Sequence, residues 1–268
     1  NALVQVSSVS DGSSMTFDNL APTLTAVSIA SSNAAAELAS PDDTITLTFT
    51  ASEAIDPPTC VFTSGSNAVT NAGSVVVTDT SSEAGTDWTC TVSLVSGDTA
   101  GAVGFTIDGA DLAGNALVQV SSVSDGSAMV FDNVAPTLTG VLIASNNLSP
   151  NGAGSGDTIT LTFTSSEPMT ADPTCVLETG GVATTGADIV VTDTSSGAGT
   201  GWTCVYTVSA GDTAGVVSFT IDGADAAGNA LVQVTETTDS SSMAVDRTPP
   251  TLSAVSISSS NAAPAPPR

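Results

Sequence analysis

The sequence predicts an all-β chain built from tandem antiparallel β-sandwich domains of about seven strands each. Three observations predict it. The segment NALVQVSSVSDGSSMTFDN at residue 1 returns as NALVQVSSVSDGSAMVFDN at residue 115, and in looser form as NALVQVTETTDSSSMAVDR at residue 229, an interval of 114 residues both times. A period of that length is a whole domain, not a small solenoid unit. Within each period, β-branched and apolar residues alternate with polar ones in short runs. Gly, Asn, Asp and Pro separate the runs, and no stretch carries helical periodicity.

The second period shows the elements most clearly. A linker, Asp132-Asn133-Val134-Ala135-Pro136, leads into strand A, TLTGVLIAS at 137–145. A Gly/Asn/Ser stretch then precedes strand B within DTITLTFTSSE at 157–167, where Ile159, Leu161 and Phe163 share one face and threonines the other. The remaining runs are C (PTCVLE, 173–178), D (DIVVTD, 188–193), E (WTCVYTVS, 202–209), F (VVSFTID, 216–222) and G (NALVQV, 229–234). The first period repeats the plan with a one-residue insertion near the B–C turn and a compensating deletion in the C–D region, which a rigid sandwich tolerates in its turns. The expected division is a tail of a preceding repeat at 1–20, complete units at 21–134 and 135–248, and the first strand or linker of a following repeat at 249–268. The ends read as a window on a longer array, with floppy tails or tails docked on neighbouring copies as alternatives. Strand direction alone puts the start of A and the B–C, D–E and F–G turns at the end nearest the preceding unit. The A–B, C–D and E–F turns lie at the far end.

Composition narrows the function classes. The chain of 268 residues carries 27 Asp and Glu against two basic residues and no His, a formal charge of -25. With almost no cations, it cannot bind a phosphate backbone through counterion release, nor seek an anionic membrane surface. The balance suits divalent cations or a salty exterior. With 41% hydrophobic residues, each unit can still build a core. Without His or Lys, general acid–base and Schiff-base chemistry lacks its usual agents near neutral pH. Carboxylate pairs of the glycosidase kind remain, but no cleft signal accompanies them, so the chain is not read as an enzyme. No apolar run is long enough to span a bilayer.

Each unit has two cysteines, Cys60 and Cys90, then Cys175 and Cys204. The first of each pair falls near the start of strand C and the second near the start of E, at the same end of the sandwich, so a cross-sheet disulfide is expected. A zinc centre fails for want of ligands, and free buried thiols are the remaining alternative. Disulfides imply an oxidising, extracytoplasmic compartment. Trp88 and Trp202 lie two positions before a cysteine and hence on its strand face, where a core role outweighs sugar stacking.

The acidic residues carry the strongest chemical signal. The F–G turn reads Asp108-Gly-Ala-Asp111-Leu-Ala-Gly-Asn115 in one unit and Asp222-Gly-Ala-Asp225-Ala-Ala-Gly-Asn229 in the next. Glu53 and Glu167 end strand B at the same end, where the linkers place Asp18-Asn19 and Asp132-Asn133. The expected oxygen ligands at the inner junction are Asp132, Asn133, Glu167, Asp222, Asp225 and Asn229. One unit earlier they are Asp18, Asn19, Glu53, Asp108, Asp111 and Asn115. Flexible hard-oxygen sets of this kind suit Ca²⁺ better than Mg²⁺. Simple Asx-turn chemistry is the competing reading. Asp98 and Asp212 lie at the opposite end and are read as turn residues. Asn147-Leu148-Ser149 is a sequon followed by Pro150, and APAPPR at 263–268 reads as an extended segment.

Asp-Asn-x-Ala-Pro-Thr-Leu at 132–138, Gly-Asp-Thr-Ile-Thr-Leu-Thr-Phe-Thr at 156–164, Ser166-Glu167 and the Asp225-Ala-Ala-Gly-Asn229 turn together resemble the tandem bacterial immunoglobulin-like repeats of large surface adhesins. The resemblance covers essentially the whole chain, although the cysteine pair departs from many such repeats. It implies an immunoglobulin-like sandwich stalk, export to the extracellular cell surface and, often, calcium at the joints. The expected function is a structural array, an adhesin stalk or surface fibre whose partners are neighbouring copies or repeats. A subunit of a self-assembling filament or surface layer, and an accessory carbohydrate-binding module that contacts glycans, are the alternatives.

Overall fold

The computed structural model describes residues 13, 17–82, 85–149, 151–185 and 189–260. Most of the expected tail strand at 1–20, and the APAPPR segment, lie outside the described residues.

The first unit contains β1 (Leu24–Ser31), β2 (Leu38–Ala39), β3 (Thr44–Ala51), β4 (Thr59–Ser64), β5 (Asn67–Ala68), β6 (Val76–Asp79), β7 (Asp87–Ser93), β8 (Gly101–Asp108) and β9 (Val130–Phe131). The second repeats it as β10 (Leu138–Ser145), β11 (Gly152–Ala153), β12 (Thr158–Ser165), β13 (Thr174–Thr179), β14 (Val182–Ala183), β15 (Val190–Asp193), β16 (Gly201–Thr207), β17 (Gly215–Asp222) and β18 (Ala244–Val245). In each unit a four-stranded sheet, β1-β3-β7-β6 or β10-β12-β16-β15, faces a five-stranded one, β2-β9-β8-β4-β5 or β11-β18-β17-β13-β14. All pairings are antiparallel except β2 with β9 and β11 with β18. In strand letters the sheets are A-B-E-D and A′-G-F-C-C′, which is the strand order of an immunoglobulin-like sandwich.

Period-two patterning fills the space between the sheets. Ile45, Leu47 and Phe49 of β3, and Ile159, Leu161 and Phe163 of β12, point inward and are buried, while most of the threonines between them are at least partly exposed. Each unit has its own core, one drawn from residues between Val27 and Phe131 and the other from residues between Val141 and Val245. The disulfides form as Cys60–Cys90 and Cys175–Cys204, each with Cα atoms 6.4 Å apart, and each ties the two sheets together. Closing a loop of that length stabilises a unit by roughly 3–4 kcal/mol in the chain-entropy treatment. Trp88 and Trp202 are buried on the same strands, and their indole N–H groups donate to the carbonyls of Gly85 and Gly199 at 3.1 Å.

Two features differ from the expected seven strands. Short pieces A′ and C′ are added, and NALVQV is not a regular strand. Residues 115–120 and 229–234 make only isolated bridges to the end of F and to the F–G turn, Ile107 with Val120 and Ile221 with Val234 among them. The place of strand G, between A′ and F, falls to β9 and β18. The cause lies in strand A, where a bulge breaks the register between Thr25 and Ser28, and between Thr139 and Leu142. The bulge frees the carbonyls of Val27 and Val141, which accept the amides of Ser124 and Thr238. Ser127 and Ser241 hydroxyls accept from Ile29 and Ile143. The chain after NALVQV therefore leaves strand F, crosses to strand A and closes the side of the sandwich.

Candidate cation site at the seam between units

The F–G turn of the second unit is built around one carboxylate. Asp225 Oδ1 accepts the backbone amides of Ala227 and Asn229, both at 2.9 Å, and Oδ2 accepts the Asn229 side-chain amide at 2.8 Å. Asp225 is 2% exposed. The turn is pinned to the B–C turn by the bridge between Met169 and Asp225 and by Thr170, whose amide donates to the Ala224 carbonyl at 3.2 Å and whose hydroxyl donates to the Asp225 carbonyl. This pinning delivers Glu167, which leaves the end of β12, to the same place. The linker delivers the third group. Asp132 follows β9 directly, its amide bonded to the Ala39 carbonyl at 2.8 Å, and its carbonyl accepts Asn229 Nδ2 at 3.1 Å.

The carboxylates of Asp132, Glu167 and Asp225 converge, with one oxygen of each lying within 4.8 Å of the others. Asp18, Glu53 and Asp111 form the equivalent group at the leading edge of the first unit. There Asp111 clamps its turn through the amides of Ala113 and Asn115 and the Asn115 side chain at 2.7–2.9 Å.

The electrostatics of the two groups agree. Burial, then the charges of Asp132 and Asp225, push the Glu167 carboxyl above its ordinary range. Burial, then Asp18 and Asp111, do the same to Glu53. Asp111 is shifted the other way, mainly by the Asn115 side-chain hydrogen bond. Among the described residues the only cationic side chain is Arg247, and its guanidinium donates to the Asp212 carbonyl at 2.7 Å. Like charges thus converge without a countercharge, on hard oxygens delivered by a linker and two turns. That donor set fits a divalent cation of the calcium type.

Not every expected ligand joins the group. Asp222 is held by both carboxylate oxygens to Gln233 Nε2 at 2.9–3.1 Å, and Asp108 likewise to Gln119 at 2.9–3.0 Å. Both stand outside the three-carboxylate groups. Asn229 and Asn115 donate through Nδ2 and so orient Asp225 and Asp111. Asn133 turns away to the far end of the first unit, where its amide donates to the carbonyls of Ser96 and Asp98 at 2.9 Å. Asn19 is exposed, and no contact of its side chain joins it to the group.

Asp98 and Asp212 are buried turn builders. Asp212 accepts from the amides of Thr185 and Ser209 and from the Tyr206 hydroxyl at 2.7–2.9 Å. Burial works to raise its pKa, but these bonds outweigh it and hold the carboxyl below its ordinary value. The sequon residue Asn147 is also a turn builder, its amide donating to Asp157 at 2.6 Å.

Two seam residues carry no motif that would single them out. Asn33, in the turn after β1, donates to the Ala227 carbonyl at 2.8 Å, and Ala227 is 2% exposed. The only signal available in the sequence is that an Asn recurs at 147, one period later.

No family model matches the chain, and no curated protein does. Among solved structures, bovine butyrophilin matches at 11% identity over 80% of this chain and 98% of its own, with a TM-score of 0.31. A marsupial T cell receptor matches at 9% identity over 82% and 98%, with a TM-score of 0.27. A chimeric titin Z1Z2-Z1Z2 tandem matches at 10% identity over 78% and 92%, with a TM-score of 0.25. These whole-chain scores are low, and it is the strand order of each unit that makes the fold immunoglobulin-like.

Proposed function

We propose that the chain is a structural, non-enzymatic array of immunoglobulin-like units of the extracellular surface, an adhesin stalk or surface fibre stiffened at its seams by Ca²⁺. The observation that supports this most is the meeting of Asp132, Glu167 and Asp225 from a linker, a B–C turn and an F–G turn. An ion held there would be shared by the linker and two turns of the following unit. Bending the linker would then require breaking oxygen–metal contacts. The ion would also relieve the repulsion that raises Glu167.

The two disulfides, with no free cysteine among the described residues, fit an oxidising compartment and hence a secreted or surface protein. Among the described residues no helix is long and apolar enough to cross a membrane. Burial of Trp88 and Trp202, whose indole N–H groups are already bonded, removes the stacking faces that the carbohydrate-binding alternative needs.

The test is small-angle scattering with calcium and with chelator. Calcium should narrow the distribution of inter-unit distances and lengthen its maximum. Identical curves in the two conditions would count against a stiffening ion.

A further inference from the structure

We propose that Asn33 is a latch that fixes the angle between the two units by a route independent of any cation. A covalent linker by itself leaves bend and twist free. A second attachment, off the linker axis, removes that freedom. Asn33 supplies one, joining residues 194 positions apart in sequence.

Its side chain is oriented by its own unit. One amide hydrogen is committed to Asp43 Oδ2 at 2.7 Å, the side-chain carbonyl accepts the Ala35 amide at 3.0 Å, and the Asn33 backbone amide is held by Ser31 Oγ at 3.0 Å. Asp43 is in turn fixed by Ser32 and by the Ser40 amide and hydroxyl at 2.7–3.0 Å. The same nitrogen makes a longer contact to Ser40 Oγ at 3.4 Å and donates across the seam to the Ala227 carbonyl at 2.8 Å. The acceptor is equally well placed, because the Asp225 carboxylate holds the Ala227 amide and so sets the direction of the turn. Donor and acceptor are both rigid before they meet, so little ordering entropy opposes the contact.

The burial pattern agrees. Ala227 is buried at the seam, whereas Ala113, at the same place in the first unit's turn, is exposed. The linker is fastened at the same face by Asn133 to the Ser96 and Asp98 carbonyls, and by Asn229 to the Asp132 carbonyl. The units are thus attached both through the linker and through the latch.

Asn147 provides a twin that separates a latch from a turn. It repeats three of Asn33's local bonds, to Asp157 at 2.6 Å, from Ser149 at 2.9 Å and to Ser145 at 3.1 Å, but lacks the 3.4 Å Ser40 contact and, among the described residues, any acceptor across a seam. Asn147→Ala therefore removes the local bonds alone, whereas Asn33→Ala removes the local bonds and the latch.

The experiment is residual dipolar coupling on the full chain in chelator, so that the outcome does not depend on whether the acidic group binds calcium. In the native chain the two units should share correlated alignment. Asn33→Ala should lower the ratio of latched to open seam about five-fold, the scale of one net hydrogen bond, and the two alignment tensors should diverge. Asn147→Ala should leave them correlated. Unchanged alignment in Asn33→Ala, or equal divergence in both variants, overturns the proposal. Failure of the calcium experiment leaves this result untouched, because no cation is present in it.

Discussion

Ala113 and Ala227 occupy the same position in the same turn, clamped by the same carboxylate geometry, and one faces solvent while the other is buried. The difference teaches which features belong to a unit and which belong to the seam. The Asp–Asn clamp and the meeting of three carboxylates appear at both the leading edge and the seam, so one unit and the linker before it suffice to build them. Among the described residues, burial of the turn and the Asn33 contact are found at the seam, where the other unit packs against it. At the seam the first unit's Asn33 caps the second unit's turn, whereas Ala113 in the matching turn of the first unit is exposed.

The sharpest way to break the comparison is to remove one disulfide. Cys175→Ala with Cys204→Ala should destabilise the second unit by roughly 3–4 kcal/mol. The first unit, with its own core and its own bridge, should be unchanged. Calorimetry should then resolve two transitions, the lower belonging to the second unit. A single transition shifted as a whole would mean that the units fold as one.

Acid should act next, and in opposite senses on two sets of groups. Asp43, Asp98, Asp157 and Asp212 have depressed folded-state pKa values. The stability they contribute is present above the unfolded value of about 3.9 and is lost as pH falls through the folded values. Glu53 and Glu167 are raised. They favour the folded state when protonated, so their contribution declines as pH rises from the unfolded value of about 4.3 through the raised one. Denaturant melts in chelator should show a steep loss below about pH 4 and a shallow decline above it. Saturating calcium should flatten the upper limb. A Glu167→Gln chain that keeps the whole decline would contradict the assignment.

The smallest effect concerns strand A. At the bulge the second unit has Gly140 at φ +60°, whereas the first has Ala26 at φ +52°. A left-handed conformation at a non-glycine residue costs about 1 kcal/mol. Ala26→Gly should therefore stabilise the first unit by about 0.5–1 kcal/mol, and Gly140→Ala should destabilise the second, both read as midpoint shifts in the separate transitions.

Strands A to F and the cysteine partners were legible in the sequence because alternation and strand direction fix them. The Asp132, Glu167 and Asp225 group was legible for the same reason, since direction alone puts a linker, a B–C turn and an F–G turn at one end. Strand G is not legible in this way. NALVQV alternates like a strand, but the bulge in strand A offers the following segment competing acceptors, which a one-dimensional pattern does not reveal. Their place beside Asp111 and Asp225 in the F–G turn makes Asp108 and Asp222 look like ligands, yet each lies opposite a glutamine that takes both its oxygens. The seam partner of Asn33, and the true partners of Asn133, which the sequence places among the ligands, are backbone carbonyls of distant turns, and these leave no mark in side-chain spelling.

Calorimetric titration of calcium into the chelated full chain tests the seam most directly, with Glu53→Gln and Glu167→Gln as a matched pair. Saturable heat in the native chain, lost in part in each variant, with the seam portion lost only in Glu167→Gln, is the expected result. No heat in the native chain, or full heat in Glu167→Gln, would show that these acids meet at the seam without holding an ion.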